Sequence, residues 1–185
     1  FDWVGPKRIQ PPALAFKQLP PIHYVLISHN HYDSMDLPTL KRLMHRDHPT
    51  FITGLGNQHL LKQHHLHPLI ILDWWQKAQN TKIPMQFVPA QHFSGRGLFD
   101  RNKTLWGGFI LNTSGGTVYF AGDTGLGPFM RQIQQRSAPI RMALLPIGAY
   151  QPRQIMKWMH MNPNDAVQAL QYLKAQQAIG IHFDS

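Results

Sequence analysis

Four apolar runs in this chain lead into a histidine or an aspartate, and that recurrence limits the folds open to it. Ile27-Ser28 runs into His29-Asn30-His31-Tyr32-Asp33, and Gln86-Phe87-Val88-Pro89 is followed by His92. Val118-Tyr119-Phe120-Ala121-Gly122 delivers Asp123, and Ile179-Gly180-Ile181 delivers His182. Runs of branched and aromatic residues read as strands, and the loops after strands are where a rigid scaffold carries its chemistry. Strand ends along one edge of a sheet meet in one cleft, whereas positions scattered over helices and strands do not. A sheet also fixes ligand geometry before a cation arrives. The expectation is a β-scaffold that gathers His29, His31, Asp33, His92, Asp123 and His182 at one rim.

The remaining patterning agrees with sheets covered by helices. β-like runs fall at residues 23–28, 50–53, 69–72, 85–89, 108–112, 117–121, 142–146 and 178–182, with a hairpin signal at Ser114-Gly115-Gly116. Asn162-Pro163-Asn164-Asp165 supplies a cap and a first-turn proline for a helix whose apolar stripe is Val167, Leu170 and Leu173. A second helical pattern runs from Pro38 through Leu40, Leu43 and Met44, and a weaker third covers residues 58–65. Strands mixed with helices predict a layered α/β (α+β) domain rather than a strict parallel βαβ repeat.

Composition narrows the chemistry. At 185 residues and 43% apolar content, the chain builds one ordinary core, so residues 1–185 are expected to form a single domain. Its abrupt start at Phe1-Asp2-Trp3-Val4 and its stop just after Ile181-His182-Phe183 read as a domain trimmed at both ends. No stretch approaches the roughly 18 uninterrupted apolar residues of a bilayer span, and the first residues lack the order of a secretory signal. The expected location is cytoplasmic or peripheral to a membrane. A formal charge of +9 favours anionic partners, meaning nucleic acid, anionic lipid or phosphorylated substrates. The basic residues are scattered and no nucleic-acid module signature is present, so no nucleic-acid partner is expected. Cysteine is absent and all nine acids are aspartate, so a metal site must rest on histidine and aspartate.

The His-x-His-x-Asp run at residues 29–33, with His92, Ala121-Gly122-Asp123-Thr124-Gly125 and His182, resembles the metallo-β-lactamase superfamily signature, whose fold is an αββα sandwich. Longer strings narrow the resemblance. Val4-Gly5-Pro6-Lys7-Arg8, Leu26-Ile27-Ser28-His29-Asn30-His31-Tyr32-Asp33, Leu105-Trp106-Gly107 and Pro146-Ile147-Gly148-Ala149-Tyr150 with Pro152-Arg153 are similar to the N-acyl-phosphatidylethanolamine phospholipase D family. The resemblance implies that His29, His31 and His92 hold one zinc, that Asp33 and His182 hold a second, and that Asp123 bridges them. It implies hydrolysis of a phosphodiester, most closely an N-acyl phosphatidylethanolamine-like phospholipid, by metal-activated water. The alternatives are a metallo-hydrolase of lactonase or nuclease type, or a non-catalytic metal-binding remnant. The family has another histidine directly after the aspartate of the run, where this chain has Ser34, so the second zinc is expected to bind weakly or not at all. The sandwich is expected to be incomplete at both ends.

Other candidates carry a plainer reading beside the functional one. Asp123 and Asp33 are expected to act in catalysis as well as in metal binding. His160 matches a family histidine and is a candidate for contact with substrate phosphate or leaving group, against an ordinary place before a helix. Arg153, beside Tyr150, is a candidate for anionic head-group binding, against a solvated surface arginine. Asp36 and Thr124 either support ligands or cap and turn the chain. His64, His65 and His67 read as surface residues, because no aspartate is positioned near them. Trp74, Trp75, Phe93, Leu98 and Phe99 fit an apolar substrate channel, core packing or a lipid-facing rim.

Overall fold

The computed structural model describes residue 12 and residues 14–183. The Val4-Gly5-Pro6-Lys7-Arg8 string and the Asp184-Ser185 end lie outside the described residues. Strands β1 (Tyr24–Ile27), β2 (Thr50–Gly54) and β3 (Leu69–Leu72) form one sheet, linked through α1 (Leu37–Asp47) and α2 (Gln58–Gln63). All its pairings are parallel, so the first half is a βαβαβ unit, which the sequence argued against. The second sheet has the order β4 (Met85–Val88), β5 (Gly108–Thr113), β6 (Gly116–Phe120), β7 (Ile140–Pro146), β8 (Gln177–Ile181). It is mixed: β4, β5 and β6 pair antiparallel, while β7 and β8 extend it in parallel. Between these later strands lie α3 (Phe129–Arg136), α4 (Arg153–Met156) and α5 (Pro163–Leu173).

Side-chain alternation along the strands builds the layers. In β1 and β2, Ile27 and Phe51 face Leu40 of α1 and Leu61 of α2, while Leu26 and Ile52 face the other sheet. In β4, β5 and β6, Phe87, Phe109 and Phe120 face back toward Ile52 and Leu72. Val88, Ile110 and Tyr119 instead pack on Met130 and Ile133 of α3 and Ala169 and Leu173 of α5. The period-2 pattern therefore gives two sheets back to back with helices outside each, the αββα arrangement.

The caps are local chemistry. Asp36 accepts from the Thr39 amide at 3.0 Å to start α1, and Asn162 with Asp165 closes a reciprocal box at the start of α5. Val167, placed by sequence on the buried stripe of α5, is 57% exposed; Ala166, Ala169 and Leu173 form the inner face. The helical period sets Val167 one position round from that face. β7 starts two residues before the expected Met142, because Ile140 pairs with Thr117 across a register shift between Thr117 and Val118. Helices α3 and α4 were not anticipated; α3 buries only Met130 and Ile133, too few apolar positions to mark a period. Among the described residues no helix is long and apolar enough to cross a membrane.

Candidate metal centre

The chain leaves β1 through Ser28, His29 and Asn30, all buried. The Ser28 hydroxyl lies 2.9 Å from His29 Nδ1, which leaves Nε2 of that ring turned to the site. His29 Nε2 stands 2.8 Å from His31 Nδ1 and 3.7 Å from an Asp123 oxygen. His92, on the loop after β4, donates from Nδ1 to the Met159 carbonyl at 3.0 Å. Its Nε2 lies 3.2 Å from His31 Nδ1 and 3.9 Å from the same Asp123 oxygen. A tetrahedral ion with bonds of about 2.0–2.1 Å sets its donors roughly 3.3–3.4 Å apart. The spacings of these four donors bracket that figure.

A second group shares Asp123. His182 Nε2 lies 3.4 Å from the Asp123 oxygen and 3.3 Å from Asp33 Oδ2, close to the same tetrahedral edge. The structure adds a residue here that sequence reasoning had set aside for substrate: donor atoms of Asp123, His160 and His182 all lie within 4.8 Å of one another. The buried His160 ring stacks on His182 at 5.6 Å and meets His92 edge-on at 5.0 Å. Nδ1 of His160 and Nδ1 of His182 are buried with no hydrogen-bond partner in the protein. The donors do not come from one sheet, as the sequence had suggested. His29, His31 and Asp33 follow β1 of the parallel sheet, whereas His92, Asp123 and His182 follow β4, β6 and β8 of the mixed one.

Burial and crowding set the protonation states. Burial, and then the neighbouring His31, pull His29 down from 6.5 to about 3. Burial and His29 lower His92 in the same way, burial lowers His31, and burial with His182 takes His160 to about 4. Asp123 is pushed up to about 6 by burial. The hydrogen bond between Asp33 and His182 raises the imidazole and holds the carboxyl well below its usual range. At neutral pH the lowered histidines present free lone pairs, and Asp123, though raised by burial, is mostly a carboxylate among them. This donor set, with its spacing and its two orphaned nitrogens, fits a divalent cation.

Second-tier contacts hold these groups in place. Gly122 has φ +62, and a Cβ there would stand 2.6 Å from Ser28 Cβ, so glycine alone lets the loop carrying Asp123 cross behind His29. Thr124 accepts from the Gln91 amide at 2.9 Å and donates to the Gly125 carbonyl, which joins the Asp123 loop to the His92 loop. Asp36 caps α1, as the plainer reading held. Arg96, unremarked in the sequence, donates to the Asn30 and Met35 carbonyls at 2.9 and 3.0 Å and clamps the His-x-His-x-Asp turn. Neither Arg96 nor the Met159 carbonyl has a sequence signal, since one looks like a loop cation and the other is backbone.

The outlying candidates separate. Arg153 ion-pairs with Asp165 and donates to the His160 carbonyl at 3.1 Å, so its guanidinium is committed within the protein. Tyr150 is half-buried on the loop after β7. His64, His65 and His67 belong to neither donor group. Trp74 donates to the Trp106 carbonyl at 2.7 Å and packs between the sheets, and Trp75 packs on the α3 and α5 side. Of the five apolar candidates, Phe93 touches the centre, its ring 4.5 Å from His31 and 4.9 Å from His92. Leu98 and Phe99 stand in solvent.

The beta-lactamase superfamily domain family matches residues 1–183. The chain is 33% identical over 193 residues to N-acyl-phosphatidylethanolamine-hydrolyzing phospholipase D 1 of Caenorhabditis elegans, covering 98% of this chain and 54% of that protein. It is 33% identical over 187 residues to the mitochondrial N-acyl-phosphatidylethanolamine-hydrolyzing phospholipase D of Saccharomyces cerevisiae, covering 97% and 40%. The chain thus spans about half the length of these curated relatives. Among solved structures, an isothiocyanate hydrolase from Delia radicum gut bacteria shares the fold with a TM-score of 0.72 at 17% identity, covering 99% of this chain and 74% of that one. With this match and the αββα layers carrying a His/Asp rim, the chain belongs to the metallo-β-lactamase superfamily, as a member similar to the N-acyl-phosphatidylethanolamine-hydrolyzing phospholipases D.

Proposed function

We propose that this chain is the metal-binding part of a zinc-dependent hydrolase that cleaves a phosphodiester, with an N-acyl phosphatidylethanolamine-like phospholipid as the substrate class. The observation that carries the reading is the sharing of Asp123 by two donor groups, one with His29, His31 and His92, the other with His160 and His182, with Asp33 3.3 Å from His182. The names of the C. elegans and yeast relatives support the substrate class. Imidazole and carboxylate donors at these spacings suit zinc, and they also accept iron or manganese.

When bound, divalent cations acidify water into the neutral range and neutralise phosphate charge. The chain's own residues do the rest. His29, His31 and His92 are held neutral by burial, so no proton competes for their lone pairs near pH 7. Asp123 is buried between both groups, and as a carboxylate raised to about 6 it would hold the cations and could accept a proton from a water bound there. His160, with a buried and unpartnered nitrogen on the same side as His182, is placed to donate to a phosphate oxygen or to complete the second donor set. Asp33, the most exposed donor at 62%, lies where the donor set meets solvent. The lack of cysteine and glutamate fits a route without a protein nucleophile.

The test is to measure bound zinc per chain in the full-length protein and hydrolysis of a chromogenic phosphodiester, with and without added metal, beside Asp123→Asn. Metal-dependent turnover that falls by roughly a thousandfold or more in the variant agrees with the proposal. A full-length protein that binds no metal and hydrolyses nothing removes it.

A further inference from the structure

The loop between β4 and β5 carries the two most exposed large apolar side chains among the described residues, side by side: Leu98 at 91% and Phe99 at 85%. Single exposed hydrophobes are ordinary, but an adjacent pair held into water is a contact in waiting. The loop is framed from inside. The Asp100 carboxylate accepts from the amides of Arg96 and Gly97 at 2.9 and 2.8 Å, and the Asn102 amide donates to the Ser94 carbonyl at 2.9 Å. The Arg96 guanidinium is anchored on the Asn30 and Met35 carbonyls, and the Tyr32 hydroxyl donates to the Arg96 carbonyl at 2.9 Å. This frame uses the loop's carboxylate for its own turn and presents Leu98 and Phe99 outward, with Arg101 and Lys103 exposed beside them.

The same loop borders the metal centre. A cleft of about 310 Å³ runs from Phe93 to Leu98 and is walled by Arg101. The Phe93 ring lies 4.5 Å from His31, and the Arg101 guanidinium lies 4.2 Å over that ring. Leu98, Arg101 and Phe93 thus line one cleft, and Phe93 ends it beside His31.

We propose that Leu98 and Phe99 form an interfacial wedge that enters the surface of an anionic phospholipid bilayer, with Arg101 and Lys103 at the level of the head groups, so that the metal centre opens toward the lipid. The choice of lipid over a protein partner rests on charge. The exposed cations at the tip and the formal charge of +9 complement an anionic leaflet, and apolar insertion adds to that attraction. Phenylalanine and leucine are the side chains that an interfacial apolar face buries at the head-group boundary. The inference deepens the phospholipid reading above and rests on it for its purpose, although binding itself needs no turnover.

The metal-loaded full-length protein is sedimented with vesicles of phosphatidylcholine containing phosphatidylglycerol, and with vesicles of phosphatidylcholine alone. Binding to the anionic vesicles is expected, weakened by salt. Leu98→Ser with Phe99→Ser is expected to lower the partition coefficient about tenfold or more. Arg101→Gln with Lys103→Gln is expected to lower it by roughly tenfold for anionic vesicles and to flatten the salt dependence. The Leu98/Phe99 variant should keep its circular dichroism and its hydrolysis of a soluble phosphodiester. The wedge is refuted if the parent ignores anionic vesicles or if the Leu98/Phe99 variant binds them as well as the parent. It is also refuted if that variant loses self-association instead, because the occupant is then a second copy. Vesicle binding without any phosphodiester hydrolysis leaves the wedge standing and removes the activity reading.

Discussion

Gly148 sits against the backbone of His182 so closely that a Cβ on it would overlap the His182 carbonyl oxygen. The α-carbon of Phe183, 3.0 Å from where that Cβ would stand, blocks relief in the other direction. The loop after β7 therefore sets where His182 stands, although the two residues are far apart in sequence. Gly148→Ala is expected to displace His182 and to weaken cation binding on the Asp33 and His182 side at least tenfold, with a stability loss of about 1–3 kcal/mol from overpacking. Calorimetric titration with zinc should still show the His29, His31 and His92 group filling. An unchanged titration would mean that the backbone approach does not govern the ligand.

Ser34 follows Asp33, and its amide donates to the His31 carbonyl at 3.2 Å. A hydroxyl there is a poor donor to zinc. Ser34→His is expected to tighten the second cation by about tenfold or more, since it supplies an imidazole beside Asp33. Competition against a chromogenic chelator measures this directly. Equal affinity in the variant would remove position 34 from the site.

The protonation states imply a pH dependence for the metal-free protein. His29 moves from 6.5 to about 3 on folding and His160 to about 4, and His92 is lowered too. Between these values and 6.5 the unfolded chain binds more protons, so their contribution is present above 6.5 and is lost as pH falls. Asp123 runs the other way, because its raised value of about 6 favours the fold at low pH and costs stability as pH rises through 6. His182, raised by Asp33, also works against the trend, but His29, His92 and His160, each worth about 2 kcal/mol between pH 7 and 5, together with the lowered His31 outweigh it and Asp123. The chelator-treated protein should melt several degrees lower at pH 5 than at pH 7. An equal or higher midpoint at pH 5 would contradict the assigned burial.

Tyr119 is wholly buried between β6 and α3, and its hydroxyl has no hydrogen-bond partner in the protein. Burial alone raises its pKa. Tyr119→Phe keeps the ring and removes the unpaired group, so the expected change is a gain of about 1 kcal/mol in urea unfolding. A loss of that size would show that a buried water serves the hydroxyl.

The strands were legible because each is a short run of branched or aromatic residues, and the donors were legible because His and Asp stand at the ends of those strands. The division of labour was less so. Placing every donor on one sheet edge failed because strand pairing is a long-range property: β1 pairs with β2, which in turn pairs with β3, and nothing in the local sequence of Ile27-Ser28-His29 announces that partner. His160 was read as a substrate contact because its neighbours His182 and His92 reach it only through the fold. The Met159 carbonyl behind His92 and the Arg96 clamp behind Asn30 escaped for the same reason. Val167 misled because a β-branched residue on a helix flank looks apolar whichever way it faces.

Because His29, His31 and Asp33 hang from one half of the sandwich and His92, Asp123 and His182 from the other, an ion seated among them rivets the halves together at a single point. Stripping the ion then does more than silence chemistry. It frees one layer to breathe against its neighbour, so hydrogen exchange along β1 and β4 should quicken together, with the far end of each strand least affected.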